Sequence, residues 1–102
     1  MLAGSSLEAL WTLVRSIPPG QVASYGQLGR LLPNPVSGLV VGRWMARAPD
    51  DVPWWRVVAG DGRLPVGKRD PSLLLRQRRL LEEEGVDFED DAVAICRPLW
   101  DP

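Results

Sequence analysis

Two adjacent tryptophans, Trp54 and Trp55, lie between Pro53 and Arg56 in the segment VPWWRVV, and the chain contains no histidine. An indole ring can stack on another flat ring and donate one hydrogen bond, but its nitrogen is neither a nucleophile nor a base. Taken alone, the pair favours ordinary core aromatics. Neighbouring side chains of an extended segment point to opposite sides, however, so one ring is free to line a pocket while the other is core.

Enzymatic chemistry has few candidate residues in this sequence. The single cysteine, Cys96, lies in the apolar stretch AVAIC, and no histidine is present to activate it, so we expect a buried structural thiol. One cysteine excludes a disulfide within the chain, and a metal cluster is not expected without histidine. We therefore expect neither a cofactor nor a metal.

The length and composition are typical of one small domain. A chain of 102 residues, 45% of them hydrophobic, can bury a single core. The stretch MLAGSSLEALW lacks the basic and long apolar regions of a signal peptide, and no segment approaches the length of a membrane span. The expectation is a cytoplasmic protein that acts as a monomer.

Charge is divided unevenly along the chain. The net charge of −1 and the pI near 5.3 argue against a nucleic-acid partner when taken alone. Residues 1–79 nevertheless carry a net charge of +6, and residues 80–102 carry −7. A basic body with an acidic tail keeps nucleic acid among the candidate partners.

Hydrophobic spacing and capping residues predict three helices in the first half of the chain. Ser5 or Ser6 is the expected N-cap of an amphipathic helix that ends before Pro18. The segment SYGQ, beginning at Ser24, is a capping box for a second helix. Ser37 is the expected cap of a third helix, GLVVGRWMARA, running to Pro49, and a close pair of short helices indicates a helix-turn-helix.

The second half of the chain predicts a short β element and one more helix. Arg56 to Ala59 has the composition of a short strand or extended segment. A fourth helix follows, with Asp70 as N-cap, Pro71 in its first turn and Gly85 as C-cap. Residues 86–102 are expected to hold one short strand and a tail anchored by Leu99 and Trp100.

The third predicted helix has two distinct faces when its residues are placed at steps of 100°. The face expected in the core contains Val40, Val41, Trp44, Met45 and Ala48. The opposite face contains Leu39, Gly42, Arg43, Ala46 and Arg47, which are small or basic except for the leucine. Such a face can approach a DNA backbone closely. The alternative is that its small residues allow another helix to pack and that its arginines are solvated.

Five motifs, in this order, resemble the DNA-binding domain of the O6-alkylguanine-DNA alkyltransferases: IPPGQVASYGQL, a helix containing VG, PWWRVV, GKRD and LLEEEGV. The resemblance covers nearly the whole chain and implies a mainly α, winged helix-turn-helix-like single domain over residues 1–102. In that family the segment at Pro53 reads Pro-Cys-His-Arg-Val, where the cysteine accepts the alkyl group. Trp54 at the cysteine position resembles the alkyltransferase-like proteins, and Trp55 occupies the histidine position.

The resemblance also implies roles for individual residues. In the family a helix enters the minor groove, a side chain intrudes into the base stack, and the damaged guanine turns out into a pocket. The lesion pocket would be formed by Tyr25, Pro53, Trp54, Trp55 and Arg69. DNA would be bound by Ser24, Leu39, Gly42, Arg43, Ala46, Arg47 and Arg56. Leu39 stands where the family usually has an intruding arginine, and Arg56 is as well suited to an internal tie as to DNA.

Three functions compete at this point. The first is a non-enzymatic sensor that binds O6-alkylguanine in duplex DNA and marks it for nucleotide excision repair, as the resemblance implies. The second is a small helix-turn-helix regulator of undamaged DNA, whose recognition helix should carry base-reading side chains such as Asn, Gln or several Arg. The third is an active transferase, which needs a thiolate and an activating group, and both positions are tryptophan here.

Overall fold

Four α-helices and two pairs of very short strands form the part of the chain that the computed structural model describes, namely residues 2–60, 62–64, 71–89, 92–93 and 100–102. A single turn of 3-10 helix spans Trp54–Arg56. The α-helices are α1 (Leu2–Arg15), α2 (Tyr25–Leu31), α3 (Gly38–Met45) and α4 (Pro71–Glu83). The strands are β1 (Ala23–Ser24), β2 (Val57–Val58), β3 (Phe88–Glu89) and β4 (Ala92–Val93). The prediction of a mainly α fold with a short β element is confirmed.

The strands form two separate pairs. β1 and β2 are parallel, with Ala23 opposite Val57, and this pair joins the start of α2 to the segment that follows the tryptophans. β3 and β4 are antiparallel, with Phe88 opposite Val93. The prediction of one strand after residue 86 is therefore wrong, because strands of two residues are too short to leave a readable alternation.

α1 begins earlier than predicted. It starts at Leu2, so Ser5 and Ser6 lie inside the helix and neither is its N-cap. Serine is an acceptable residue inside a helix as well as at its cap, so the capping signal alone misplaced the start. The predicted amphipathic character is confirmed, because Leu10 and Val14 are fully buried.

The capping box at the start of α2 is only half formed. The hydroxyl of Ser24 accepts a hydrogen bond from the backbone N–H of Gln27 at 3.0 Å, which confirms the N-cap. The side chain of Gln27 does not complete the box. Its amide donates instead to the carbonyl of Trp100 at 2.6 Å. A tertiary contact has replaced the local one.

α3 begins as predicted and ends sooner. Ser37 is its N-cap, and its hydroxyl accepts the N–H of Val40 at 3.3 Å. The helix ends at Met45, after which the N–H groups of Arg47 and Ala48 bond three residues back and tighten the chain into turns. Pro49 disfavours helical geometry at Ala48 and has no N–H to bond to the carbonyl of Met45, so the helix cannot continue to the proline.

α4 ends in a Schellman motif around Gly85. The N–H of Val86 bonds to the carbonyl of Leu81 at 3.0 Å, and the N–H of Gly85 bonds to that of Glu82 at 3.0 Å. Gly85 has a φ of +91°, so glycine is favoured there, and its predicted capping role is confirmed. The predicted N-cap, Asp70, lies outside the described residues.

Two clusters of buried side chains form the interior. The first core cluster lies among α1, α2 and α3 and includes Leu10, Leu28 and Val41; the second lies beside α4 and includes Val58 and Leu81. Trp100 packs in the first cluster and its N–H bonds to the carbonyl of Val22 at 2.8 Å, as its predicted anchoring role requires. The other predicted anchor, Leu99, and the thiol of Cys96 lie outside the described residues.

Within the described part of the chain, no helix is both long and apolar enough to cross a bilayer. The same residues contain no group of three or more carboxylate, thiol or imidazole side chains arranged to hold a metal ion.

Candidate nucleic-acid interface

α2 and α3 form the predicted helix-turn-helix, and a glycine makes their close approach possible. A Cβ added to Gly29 would overlap the carbonyl oxygen of Val36 in the turn between the helices. The N–H of Val36 also bonds to the carbonyl of Gly29 at 3.1 Å. At the other end of the pair, a Cβ on Gly38 would lie 3.0 Å from the backbone nitrogen of Gly26. Glycines therefore set the angle at which α3 leaves α2.

The outer face of α3, defined as Leu39, Gly42, Arg43, Ala46 and Arg47, is the face that the helical spacing predicts. Leu39 is 68% exposed, whereas Val41 is completely buried on the opposite side. Arg43, Ala46 and Arg47 are exposed, and Gly42 is half-buried. The predicted core face is confirmed for Val41, Trp44, Met45 and Ala48, which all pack in the first core cluster, whereas Val40 is half-buried and belongs to neither cluster. The DNA contacts of this face stay a prediction.

Gly42 stands in open space. A Cβ added there would meet no atom within 4 Å among the described residues. Close packing of another helix was the alternative explanation for Gly42 and Ala46, and the described part of the chain places no helix against them. The small side chains on this face therefore protrude little from the outer surface of α3, and they do not contribute to packing in the described interior.

The two tryptophans lie in a turn of 3-10 helix, not in a strand. The N–H of Arg56 bonds to the carbonyl of Pro53 at 3.1 Å, which closes the turn, and the strand starts only at Val57. The predicted strand at Arg56 to Ala59 is confirmed at Val57–Val58, but it begins one residue later than predicted because Pro53, with a φ of −74°, starts a tight turn that includes Arg56.

The two indole rings pack on different parts of the interior. Trp54 packs against the first core cluster and Trp55 against the second, and both are half-buried. Their ring centroids are 6.0 Å apart, and the ring planes are almost perpendicular at 87°. Pro53 is buried beside them. Each tryptophan is thus partly a core residue and partly accessible. This differs from the prediction that one ring belongs to the core and the other lines a pocket.

Arg56 is engaged inside the protein. Its guanidinium forms an ion pair with Glu84 at 2.7 Å, and the two side chains are only 13% and 15% exposed. It also donates to the carbonyl of Ile17 at 2.8 Å. Of the two roles predicted for Arg56, the structure shows the internal tie, which joins the end of α4 to the segment after α1. The paired charge of Glu84 satisfies the largely buried guanidinium, and a contact of Arg56 with DNA is not shown.

Glu84 collects donors from three segments of the chain. Besides Arg56, its carboxylate accepts the indole N–H of Trp55 at 2.9 Å and the backbone N–H of Gly20 at 3.2 Å. Burial by itself raises the pKa of this carboxyl, but the hydrogen bonds from Arg56, Trp55 and Gly20 and the charge of Arg56 outweigh burial. The pKa of Glu84 therefore lies below its ordinary value of 4.5.

Three further residues were predicted for the site, and the structure describes two of them, Tyr25 and Ser24. Tyr25 is half-buried at the start of α2 and packs against the first core cluster. Ser24, beside it, uses its hydroxyl oxygen as the N-cap of α2. Arg69 lies outside the described residues, so its part in the pocket stays a prediction.

Gln77 is a residue of this region that the sequence reasoning missed. It is 1% exposed, and its amide nitrogen donates to the carbonyls of Trp55 and Val57, at 3.1 Å each. Its amide oxygen is buried and has no hydrogen-bond partner within the described structure. A signal was present: Gln77 and Glu84 stand at helical spacing with the apolar Leu74 and Leu81, so both belong to the inner side of α4.

Comparison with known proteins agrees with this geometry. Residues 6–86 match the DNA-binding domain of 6-O-methylguanine DNA methyltransferase. The chain is 37% identical over 101 residues to alkyltransferase-like protein 1 of Schizosaccharomyces pombe, which covers 91% of this chain and 92% of that protein. It is 28% identical over 99 residues to a DNA base-flipping protein of Vibrio parahaemolyticus, and the match covers 94% of this chain and 96% of that protein.

Solved structures show the same fold. The crystal structure of S. pombe Atl1 in complex with damaged DNA containing O6-carboxymethylguanine matches with a TM-score of 0.80 and 30% identity over 97% of each chain. The winged helix-turn-helix-like fold is thereby confirmed. The chain belongs to the O6-alkylguanine-DNA alkyltransferase family, and within it to the alkyltransferase-like proteins.

Proposed function

We propose that this protein binds O6-alkylguanine in duplex DNA and holds the extruded base against Trp54 without transferring the alkyl group. The observation that carries the proposal is a half-exposed indole at the family's nucleophile position, set almost perpendicular to a second indole. It is supported by two relatives, one named a DNA base-flipping protein and one crystallised with DNA containing O6-carboxymethylguanine.

In the proposed complex the outer face of α3 lies in the minor groove. Gly42 and Ala46 let the helix approach the backbone, and Arg43 and Arg47 contact phosphates. Leu39 enters the base stack as an apolar wedge, as leucine does in other minor-groove proteins. Because leucine cannot hydrogen-bond the orphaned cytosine, Arg43, one turn further on the same face, is the group expected to assist.

The extruded base is then held by stacking. Turning a base out of the duplex costs about a few kcal/mol, and the cost is lowest for a damaged base. Stacking on an aromatic side chain returns about 1–3 kcal/mol per base. We expect Trp54 to provide that surface, with Arg69 stacking on the base and Tyr25 pressing on the adjacent phosphate, as the family resemblance implies.

No alkyl transfer is expected, because the chain has neither a nucleophilic thiol nor an activating base at the two positions where the family has them. Attack on the alkyl carbon needs a thiolate and, at neutral pH, a neighbouring base or positive charge that lowers the thiol pKa. Trp54 and Trp55 supply neither. Binding therefore marks the lesion without repairing it, and we propose that nucleotide excision repair proteins recognise the marked site. We also propose that the protein acts as a cytoplasmic monomer and is associated with the nucleoid when it is bound to DNA.

The deciding experiment compares one duplex with and without a single O6-methylguanine, titrated at two salt concentrations. We define the lesion preference as the ratio of the Kd for the unmodified duplex to the Kd for the modified one. Trp54→Ala and Arg69→Ala should each reduce the corresponding difference in binding free energy between the two duplexes by about 1–3 kcal/mol, the size of one lost stacking contact. Equal affinity of the wild-type protein for both duplexes would favour the helix-turn-helix regulator instead.

Intact-mass measurement after incubation with the modified duplex tests the non-enzymatic part. The expected mass is unchanged, and the gain of one methyl group at any residue would overturn it. Trp54→Cys serves as the comparison variant and should remain nearly inactive, because Trp55 cannot activate the new thiol. Efficient transfer by that variant would reveal another activating group.

A further inference from the structure

Trp55 is fixed by three contacts from different parts of the chain. Its indole Nε1 donates to the carboxylate of Glu84 at 2.9 Å. The guanidinium of Arg56 lies over its ring, 5.4 Å from the centroid, and is itself held by Glu84. Its backbone carbonyl accepts the amide of Gln77 at 3.1 Å. Both the ring and the backbone of this residue are therefore restrained.

The ring of Trp54 meets this restrained ring edge to face. The centroid separation of 6.0 Å and the interplanar angle of 87° are typical of a directional aromatic pair. Trp54 also packs on the first core cluster, yet it remains half-buried, so part of its surface is accessible. The accessible ring of Trp54 is therefore in contact both with the first core cluster and with the ring whose N–H Glu84 accepts.

We infer that Glu84 and Trp55 are positioning residues for lesion binding: Glu84 orients the ring of Trp55, and Trp55 orients Trp54, on which the extruded base stacks. The inference rests on the proposed function. A stacking surface that is ordered before binding loses less freedom in the complex, so more of the contact appears as affinity for the lesion. Both residues act through Trp54 and need not touch the base.

The test uses Trp55→Phe, which keeps an aromatic ring and removes the N–H donor. We expect the lesion preference to fall by about 2- to 10-fold, which is less than the full contribution of a hydrogen bond to a carboxylate because Trp55 acts on the base only through Trp54. Glu84→Ala should lower it at least as far. The double variant Trp55→Phe/Glu84→Ala should fall no further than Glu84→Ala alone, because both changes break the same contact.

Two further proteins separate positioning from a general loss of stability. Val86→Ala removes a buried apolar side chain at the same end of α4 and leaves the bond between Trp55 and Glu84 in place. It should lower the thermal midpoint and leave the lesion preference unchanged. In a Trp54→Ala background, Trp55→Phe should have no further effect on the preference, since the ring through which it acts is gone.

Specific outcomes overturn the inference. If Trp55→Phe retains the wild-type preference, or lowers it equally with and without Trp54, then Trp55 does not act through Trp54. If Glu84→Ala does not fold, Trp55→Phe in the two backgrounds still decides. A wild-type protein without any preference overturns the proposed function itself, and the inference with it, so the two failures are distinguishable.

Discussion

Two of the regions that carry arginines, the outer face of α3 and the segment after the tryptophans, use the charge in opposite ways. On the outer face of α3, Arg43 and Arg47 are exposed. Beside the tryptophans, Arg56 is largely buried and paired with Glu84. The residue type is the same, and the position relative to a carboxylate and to solvent decides whether the charge is available to a partner. A basic composition alone therefore overstates the number of groups that can meet a phosphate.

The largest expected effect separates these two regions by stability. Arg56→Ala leaves the largely buried Glu84 without its paired charge and should lower the free energy of unfolding by about 2–4 kcal/mol. Arg43→Ala should change it by less than about 0.5 kcal/mol, because exposed side chains contribute little. Urea unfolding measures both. Comparable losses from the two variants would show that Arg43 also belongs to the fold.

Duplex binding should rank the same two variants in the reverse order. Arg43→Ala is expected to weaken binding to modified and unmodified DNA alike and to reduce the salt slope by about one contact. An effect of Arg43→Ala on the modified duplex alone would place this side chain at the lesion instead of the backbone.

A second contrast sets a glycine of the interior against one of the outer face. Gly29→Ala places a methyl group on the carbonyl of Val36 and should cost about 1–3 kcal/mol of stability, the usual range for overpacking. Gly42→Ala meets open space within a helix and should raise stability by about 0.5–1 kcal/mol. Thermal unfolding measures both changes.

DNA affinity completes the contrast between the two glycines. If α3 approaches the backbone as proposed, Gly42→Ala should weaken duplex binding although the protein is more stable. Unchanged affinity for both duplexes would mean that the surface at Gly42 does not contact DNA.

Replacement of Leu39 should have a smaller effect, which appears in DNA binding and not in the stability of the free protein. Its side chain is 68% exposed, so Leu39→Ala should leave the thermal midpoint nearly unchanged and weaken binding to the modified duplex. Leu39→Arg, which restores the usual family residue, should bind as well or better. A loss of stability with normal binding would contradict the wedge role.

The smallest effect concerns acid. The folded-state pKa of Glu84 is depressed, so its contribution to stability is fully present above its unfolded value of 4.5 and is lost as the pH falls through the folded value. Thermal midpoints measured from pH 6 downward should therefore fall more steeply for the wild type than for Glu84→Gln. Parallel curves would indicate that other carboxyls control acid unfolding.

Local signals in the sequence predicted what local interactions build. The caps at Ser24 and Ser37 and the turn at Gly85 each depend on groups within five residues, and all three were predicted. The two faces of α3 followed from helical spacing in the same way. The boundaries were less certain, because Leu2 begins a helix without a recognisable cap.

Contacts between segments that are distant in the chain could not be predicted from the sequence. Arg56 and Glu84 are 28 residues apart, and the strand pair of Ala23 and Val57 involves two residues on each side. No periodicity specifies such partners, so the sequence leaves Arg56 open between DNA and an internal tie and does not identify Glu84 as its partner. For the same reason it does not distinguish Gln77 from the other polar residues of α4. The family resemblance predicts a pocket position for Trp54, but it does not predict that the ring of Trp55 packs perpendicular to it.

The closeness of Trp54 and Trp55 gives the proposed binding site its own optical signature. At a centroid separation of 6.0 Å the two indoles are close enough for their electronic transitions to couple, and we expect paired circular-dichroism bands of opposite sign. Replacement of either ring abolishes such a couplet while the other tryptophans of the chain continue to absorb. A base inserted beside Trp54 would alter the couplet's amplitude, so occupancy of the site can be followed spectroscopically without any label on the protein or the DNA.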